Sequence, residues 1–199
     1  MTTAEKLTTI AENQQRVYEA GAAVAQKKPY LDTSKPVPHY QYVFYSDRWF
    51  DQLDKFDLSN ITDGSYMFQN SRNKLTTVPE LGTSKATRMQ YIFYDCQKLE
   101  EIKGIDFSSC PSSSATGSAF HNCVALKKIK MNGVIPCSIS FGSCRVLNKA
   151  SIEGIVDALS DTATGQTITF SQLAVNAAFT TDKLTALEAT KPNWSFAYA

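Results

Sequence analysis

Cysteine is the scarce residue whose scarcity excludes most. The chain of 199 residues carries 5, at positions 96, 110, 123, 137 and 144. An odd count does not close a disulfide framework. No two are spaced as CxxC, and the 2 histidines, His39 and His121, lie far apart, which excludes a zinc site at the usual ligand spacing. Long apolar runs are lacking too: none approaches the ~20 residues that span a bilayer. The opening MTTAEKLTTIAENQQRVYEAG has no apolar core of the kind a secretory signal needs. Neither sign of charge dominates. Twenty basic and 19 acidic residues leave +1, and no stripe concentrates the basic ones, which argues against nucleic acid as a partner. A GxSxG elbow, an HExxH pair and a glycine-rich phosphate loop are all absent from the sequence. Glu100, Glu101 and Asp106 read as a solvated face rather than a glycosidase pair. The residues therefore offer no catalytic, cofactor-binding or metal-binding site, and the chain reads as a non-enzyme.

What is present is a folding composition, 43% hydrophobic and 20% charged. Residues 3 to 27 have helical periodicity, opened by Thr2 and Glu5 as a capping box. Leu7, Ile10, Gln14, Val17, Gly21 and Val24 recur at alternating spacings of three and four, a heptad seam. KKPYLDTSKPVPH then stops the helix with three prolines. YQYVFYSDRWF (Tyr40 to Phe50) alternates like a strand and suits a cap over the open end of the central segment.

The centre repeats itself. IFYDCQKLEEI and AFHNCVALKKI both place Cys three, Leu six and Ile nine after Phe. Aligned on Phe68, Phe93, Phe120 and Phe141, the separations are 25, 27 and 21 residues. The cysteine column is Cys96, Cys123 and Cys144, with Ser71 in the first copy. The leucine column is Leu75, Leu99, Leu126 and Leu147; the last column holds Ile102 and Ile129. A small polar residue precedes the cysteine: Asn70, Asp95, Asn122, Ser143. Such a period predicts a solenoid whose coils stack these residues as core. The cysteines are then packing residues, small and apolar in behaviour. Tyr91 and Tyr94 flank Phe93, so one should face outwards, and His121 reads as a turn residue beside Phe120. These three make a candidate partner-binding surface.

The tail reads as a cap. Ser151 opens a helix carrying Ile152, Ile155, Val156 and Leu159; GQTITF is a strand; Ser171 and Thr181 open two more helical turns; WSFAY is a last strand. The organisation expected is a helix at 1–28 for attachment or oligomerisation, a proline-rich connector and aromatic strand at 29–57, repeats at 58–148 and a cap at 149–199. The fold class expected is α+β: a short leucine-rich-repeat-like solenoid with an N-terminal helix and a small α/β cap.

AFHNCVALKKI resembles the core of BspA-like leucine-rich repeats, and residues 58 to 148 resemble the MF-x-x-C-x-x-L repeats of bacterial surface proteins, mycoplasma lipoproteins among them. AEKLTTIAENQQRVYEAG and the tail from Ser151 are similar to the ends of leucine-rich-repeat proteins encoded in phages and prophages of Gram-positive bacteria. That resemblance implies a virion component that binds other virion proteins through its helix and a host-surface glycan or protein through its repeats. The seam Leu7, Ile10, Gln14, Val17 and Val24 then suggests a homo-oligomer, a trimer in such a setting. The alternative is a bacterial cell-surface or secreted adhesin, which the polar N-terminus, without a lipobox cysteine, disfavours.

Overall fold

The computed structural model describes Phe44, Leu53 and residues 58–199. The expected N-terminal helix with its seam (Leu7, Ile10, Gln14, Val17, Val24), and the connector and aromatic strand apart from Phe44 and Leu53, lie outside the described residues. Among the described residues the elements in chain order are β1 (Thr77–Glu80), β2 (Glu101–Ile105), β3 (Lys128–Met131), β4 (Ile139–Phe141), α1 (Lys149–Asp157), β5 (Gln166–Phe170), α2 (Gln172–Ala178), α3 (Thr181–Glu188) and β6 (Trp194–Tyr198). The strands make two three-stranded sheets, ordered β1-β2-β3 and β4-β5-β6. Every strand pairing in both is parallel.

The α+β class and the solenoid expected from the repeats are corrected: this is a small α/β protein. Coil-on-coil stacking in a solenoid would carry the β3 edge onward to a strand nine residues after Phe141, around Ala150. Instead the first sheet ends at β3, whose edge is taken by the start of α1. Asn148 donates its backbone N–H to Lys127 O at 2.9 Å. The Ser151 hydroxyl accepts from Ile129 N at 3.0 Å and donates to Lys127 O at 3.4 Å. The expected cap is likewise no cap. β4, from the last repeat, pairs with β5, and β5 with β6. Parallel neighbours need a crossover, which α1 supplies before β5 and α2 with α3 before β6. Ser151 does not begin the helix either. Asn148 is the N-cap, its side chain accepting from Ser151 N at 2.9 Å.

Why these residues make these strands is clear from their alternation. Val78, Ile102 and Ile129 are buried and share one register across β1, β2 and β3, while Thr77, Lys103, Lys128 and Lys130 point to solvent. One period-2 face is core and the other is water. Gly104 in β2 leaves room for Asn132 to cross it, and Asn132 Nδ2 donates to Glu80 Oε1 at 2.9 Å.

The phenylalanines form one column, from the turns before β1, β2 and β3 into β4 and β5. Ring centroids step from Phe44 to Phe68 (5.0 Å), Phe93 (5.3 Å), Phe120 (5.8 Å), Phe141 (4.5 Å) and Phe170 (6.1 Å), all stacked. None is more than 1% exposed. Burying each ring contributes about 2–3 kcal/mol, and each stacked pair about 0.5–1.5 kcal/mol more. The column passes from Phe120, in the turn before β3, to Phe141 in β4, so stacked rings link the first three segments to the second sheet.

A second ladder runs through the turns. Tyr66, Phe68 and Asn70 donate their N–H groups to Gln90, Ile92 and Tyr94 carbonyls at 2.8–3.0 Å. Tyr91, Phe93 and Asp95 do the same to Gly117, Ala119 and His121. Left-handed backbone turns the groups this way. Tyr66, Tyr91 and Ser118 (φ 60°, 57° and 53°) stand two residues before the phenylalanines, and Asn70, Asp95 and Asn122 (62°, 63° and 59°) stand two after. Asn and Asp tolerate that region, which explains the small polar column. The fourth copy is β-strand at its first such position, Ile139, and Ser143 has no positive φ.

Candidate functional site

Tyrosine is a costly choice for left-handed backbone, at about 1–2 kcal/mol per residue. The chain makes it twice, at Tyr66 and Tyr91, and the result is a ladder of rings at the surface. Tyr66 stacks on Tyr91 (centroids 4.9 Å), Tyr91 meets Tyr94 edge-on (5.5 Å), and Tyr94 stacks on His121 (4.9 Å). His121 is exposed and the three tyrosines are half-buried. In the fourth copy the position of Tyr94 and His121 is Gly142, so that copy adds no side chain to the stack beyond His121. Because the rings cover one another's faces, water meets ring edges and phenol tips. Such a surface offers hydroxyl and imidazole hydrogen-bonding groups on a rigid apolar base.

Tyr91, Tyr94 and His121, named from the sequence, are thus brought together in one ladder. Tyr66 was missed. Its signal was legible in the repeat alignment, because it precedes Phe68 by the same two places as Tyr91 precedes Phe93. Burial by its surroundings is the first cause of a raised Tyr66 pKa, and the Tyr91 and Asp63 side chains push the same way. The phenol therefore stays protonated and can donate.

Asp95 pins the turns under the ladder. Its carboxylate accepts from Asn122 Nδ2 at 2.6 Å, from Gln97 Nε2 at 2.7 Å and from the Arg72 guanidinium. Desolvation raises its pKa, but these three donors and the Arg72 charge outweigh it and hold the carboxyl below its ordinary value. Arg72, Asp95 and Asn122 belong to three successive segments, so one ion ties three turns.

Every position named for the repeat core is buried, none more than 7% exposed: Phe68, Phe93, Phe120 and Phe141, Cys96, Cys123 and Cys144, Leu75, Leu99, Leu126 and Leu147, Ile102 and Ile129. All five cysteines are buried and none forms a disulfide. Burial pushes the Cys110 thiol up to about 12 and raises Cys123, Cys137 and Cys144 as well. A thiol held protonated is a poor nucleophile and a poor metal ligand. Among the described residues no three His, Cys, Asp or Glu side chains converge as metal ligands would, and no helix is long and apolar enough to cross a membrane.

Residues 14–132 match the model of a family described as "Mycoplasma protein of unknown function, DUF285". No curated protein and no solved structure matches the chain.

Proposed function

We propose that this chain, which belongs to that family, is a non-catalytic binding protein whose contact surface is the ring ladder Tyr66–Tyr91–Tyr94–His121. The observation that carries the reading is the left-handed backbone of Tyr66 and Tyr91. Glycine or asparagine would hold those turns at less cost. Backbone strain held at the surface, where ring stacking offsets it only in part, supports a functional surface. The setting proposed is a phage virion, in the tail, baseplate or a surface appendage, with a host-surface glycan or protein as ligand. Its support is the resemblance of both ends of the chain to phage-encoded proteins. The heptad seam at Leu7, Ile10, Gln14, Val17 and Val24 is the proposed site of attachment to other virion proteins and of trimer formation.

Two measurements test this. The doubly substituted Tyr91→Ala/Tyr94→Ala protein should bind host cells or an array of their glycans at least tenfold more weakly, with an unchanged circular dichroism spectrum, since buried rings dominate contact energies. Mass spectrometry of purified particles should find the chain among the virion proteins. The family's description as a mycoplasma protein favours a second reading, a bacterial surface adhesin. Recovery of the chain from the bacterial envelope, and not from particles, would select it.

A further inference from the structure

The outer face of the first sheet carries a charge arrangement that folding does not ask for. Parallel sheets are ordinarily covered on both faces. Here the outward side chains of β2 and β3 stay in water and wall an open groove of about 550 Å³ against the start of α1. Lys103, Lys128 and Lys130 line it, and all three are exposed. Glu101 also lines it and stands opposite Lys128 in the register, where it balances that charge. Lys103 follows Ile102 on β2 and Lys130 follows Ile129 on β3, at a register shift in the pairing, and both lysines line the groove. Like charges gathered along one groove repel one another. Among the described residues none of the three lysines has an ion pair, in contrast with Lys127, which pairs with Glu100 at 3.1 Å, and Lys149 on α1, which pairs with Glu153 at 3.4 Å.

We infer that this groove is a second binding site, for an anionic glycan: a saccharide chain bearing carboxylate or phosphate groups. Charge complementarity selects the anion, because Lys103 and Lys130 lack a carboxylate and an incoming one relieves their repulsion. Met131 and Ala150, which are not buried, give the groove an apolar patch that suits the ring edges of a sugar. Among the described residues no aromatic side chain lines the groove, so nucleobases find nothing to stack on, and single-stranded nucleic acid generally depends on such platforms. Lys128 lies two residues from Lys130 along β3, about 7 Å at strand rise, so successive charged groups of an extended chain can each meet an ammonium. The site is distinct from the ring ladder and stands whether or not the ladder binds anything.

Titration calorimetry of the full chain with polygalacturonate tests it. The expected result is binding that neutral dextran does not reproduce and that weakens steeply with salt, as release of two to three counterions requires, a log–log slope of roughly −2. The Lys103→Gln/Lys130→Gln protein should lose affinity tenfold or more, while its thermal midpoint holds or rises because the like charges are gone. Glu101→Gln should tighten binding several-fold. Tyr91→Ala/Tyr94→Ala should leave it unchanged, which separates this site from the ladder. Equal binding by the double lysine variant, equal binding of neutral dextran, or tighter binding of a single-stranded oligonucleotide of matched charge would each overturn the assignment.

Discussion

Cys123 Sγ lies 3.1 Å from the carbonyl oxygen of Phe93, the phenylalanine of the preceding segment. The relation repeats along the chain. Cys96 Sγ donates to Phe68 O at 3.1 Å, Cys144 Sγ sits 3.9 Å from Phe120 O, and Ser71 Oγ donates to Phe44 O at 3.0 Å. The column therefore selects a small buried donor, and serine in the first copy does the same work as cysteine in the next.

The first prediction concerns that donor. Cys123→Ala should cost about 1–3 kcal/mol, from a small cavity together with the lost contact to Phe93 O. Cys123→Ser keeps a donor in place, as Ser71 does, and should cost less. Urea unfolding of the two variants decides it. Equal stability of the two variants would show that volume alone matters at this position, and a serine variant less stable than the alanine one would show that burying the hydroxyl costs more than its bond to Phe93 O returns.

The same burial sets an alkaline limit. Folding raises the pKa of Cys110, Cys123, Cys137 and Cys144 above the ordinary thiol value of 9.0. The unfolded chain then releases these protons first as pH rises. Their contribution is fully present below pH 9 and is lost as pH climbs through the folded values, about 12 for Cys110. The urea midpoint should fall steadily from about pH 9 upward. Cys110→Ala should make that fall shallower. A stability profile flat to about pH 11 would refute it.

The columns of this core were legible in the sequence because Phe, Cys, Leu and Ile recur where side chains stack, and stacking repeats the same chemistry. The architecture was not. In the fourth copy the positions that would continue β3 open α1 instead, with the Ser151 hydroxyl on the strand edge, and no period records that change. Two members of the aromatic column, Phe44 and Phe170, lie outside the repeated motif, so alignment on that motif passes them by. The tail was read apart from Ile139–Phe141, which hid its strand–helix–strand order and with it the parallel sheet. In the ring ladder, Tyr91, Tyr94 and His121 were found by their neighbours. Tyr66 is legible only by aligning the copies, where it stands two places before Phe68 as Tyr91 does before Phe93; residue type alone conceals it, because tyrosine is a poor predictor of left-handed backbone.

Asp95 gives an acid counterpart. Its folded pKa lies below the ordinary 3.8. Its contribution is present above that value and is lost as pH falls through the lower, folded one. Asp95→Asn keeps a residue that tolerates left-handed backbone, as Asn70 and Asn122 do in the same column. It should cost about 1–2 kcal/mol near neutral pH, through the lost charge-assisted bonds from Arg72, Gln97 and Asn122, and should flatten the stability profile below about pH 4. An unchanged acid profile in the variant would mean that another carboxylate carries it.

The last prediction tests how the two sheets are divided. Ser151 is 5% exposed, and its hydroxyl is the partner of Ile129 N and Lys127 O at the β3 edge. Alanine there leaves the Ile129 N–H without its acceptor and should cost about 1–3 kcal/mol, the penalty for a buried donor left unmade. Threonine keeps the hydroxyl and should stay within about 1 kcal/mol of the parent. Amide hydrogen exchange localises the effect. In Ser151→Ala, Ile129 should exchange faster while the strand amides of β5 and β6 keep their protection, because α1 holds the β3 edge and the second sheet pairs without it. Loss of protection throughout both sheets, with Ile129 no faster than the rest, would mean that the helix start supports the core as a whole and not the β3 edge in particular.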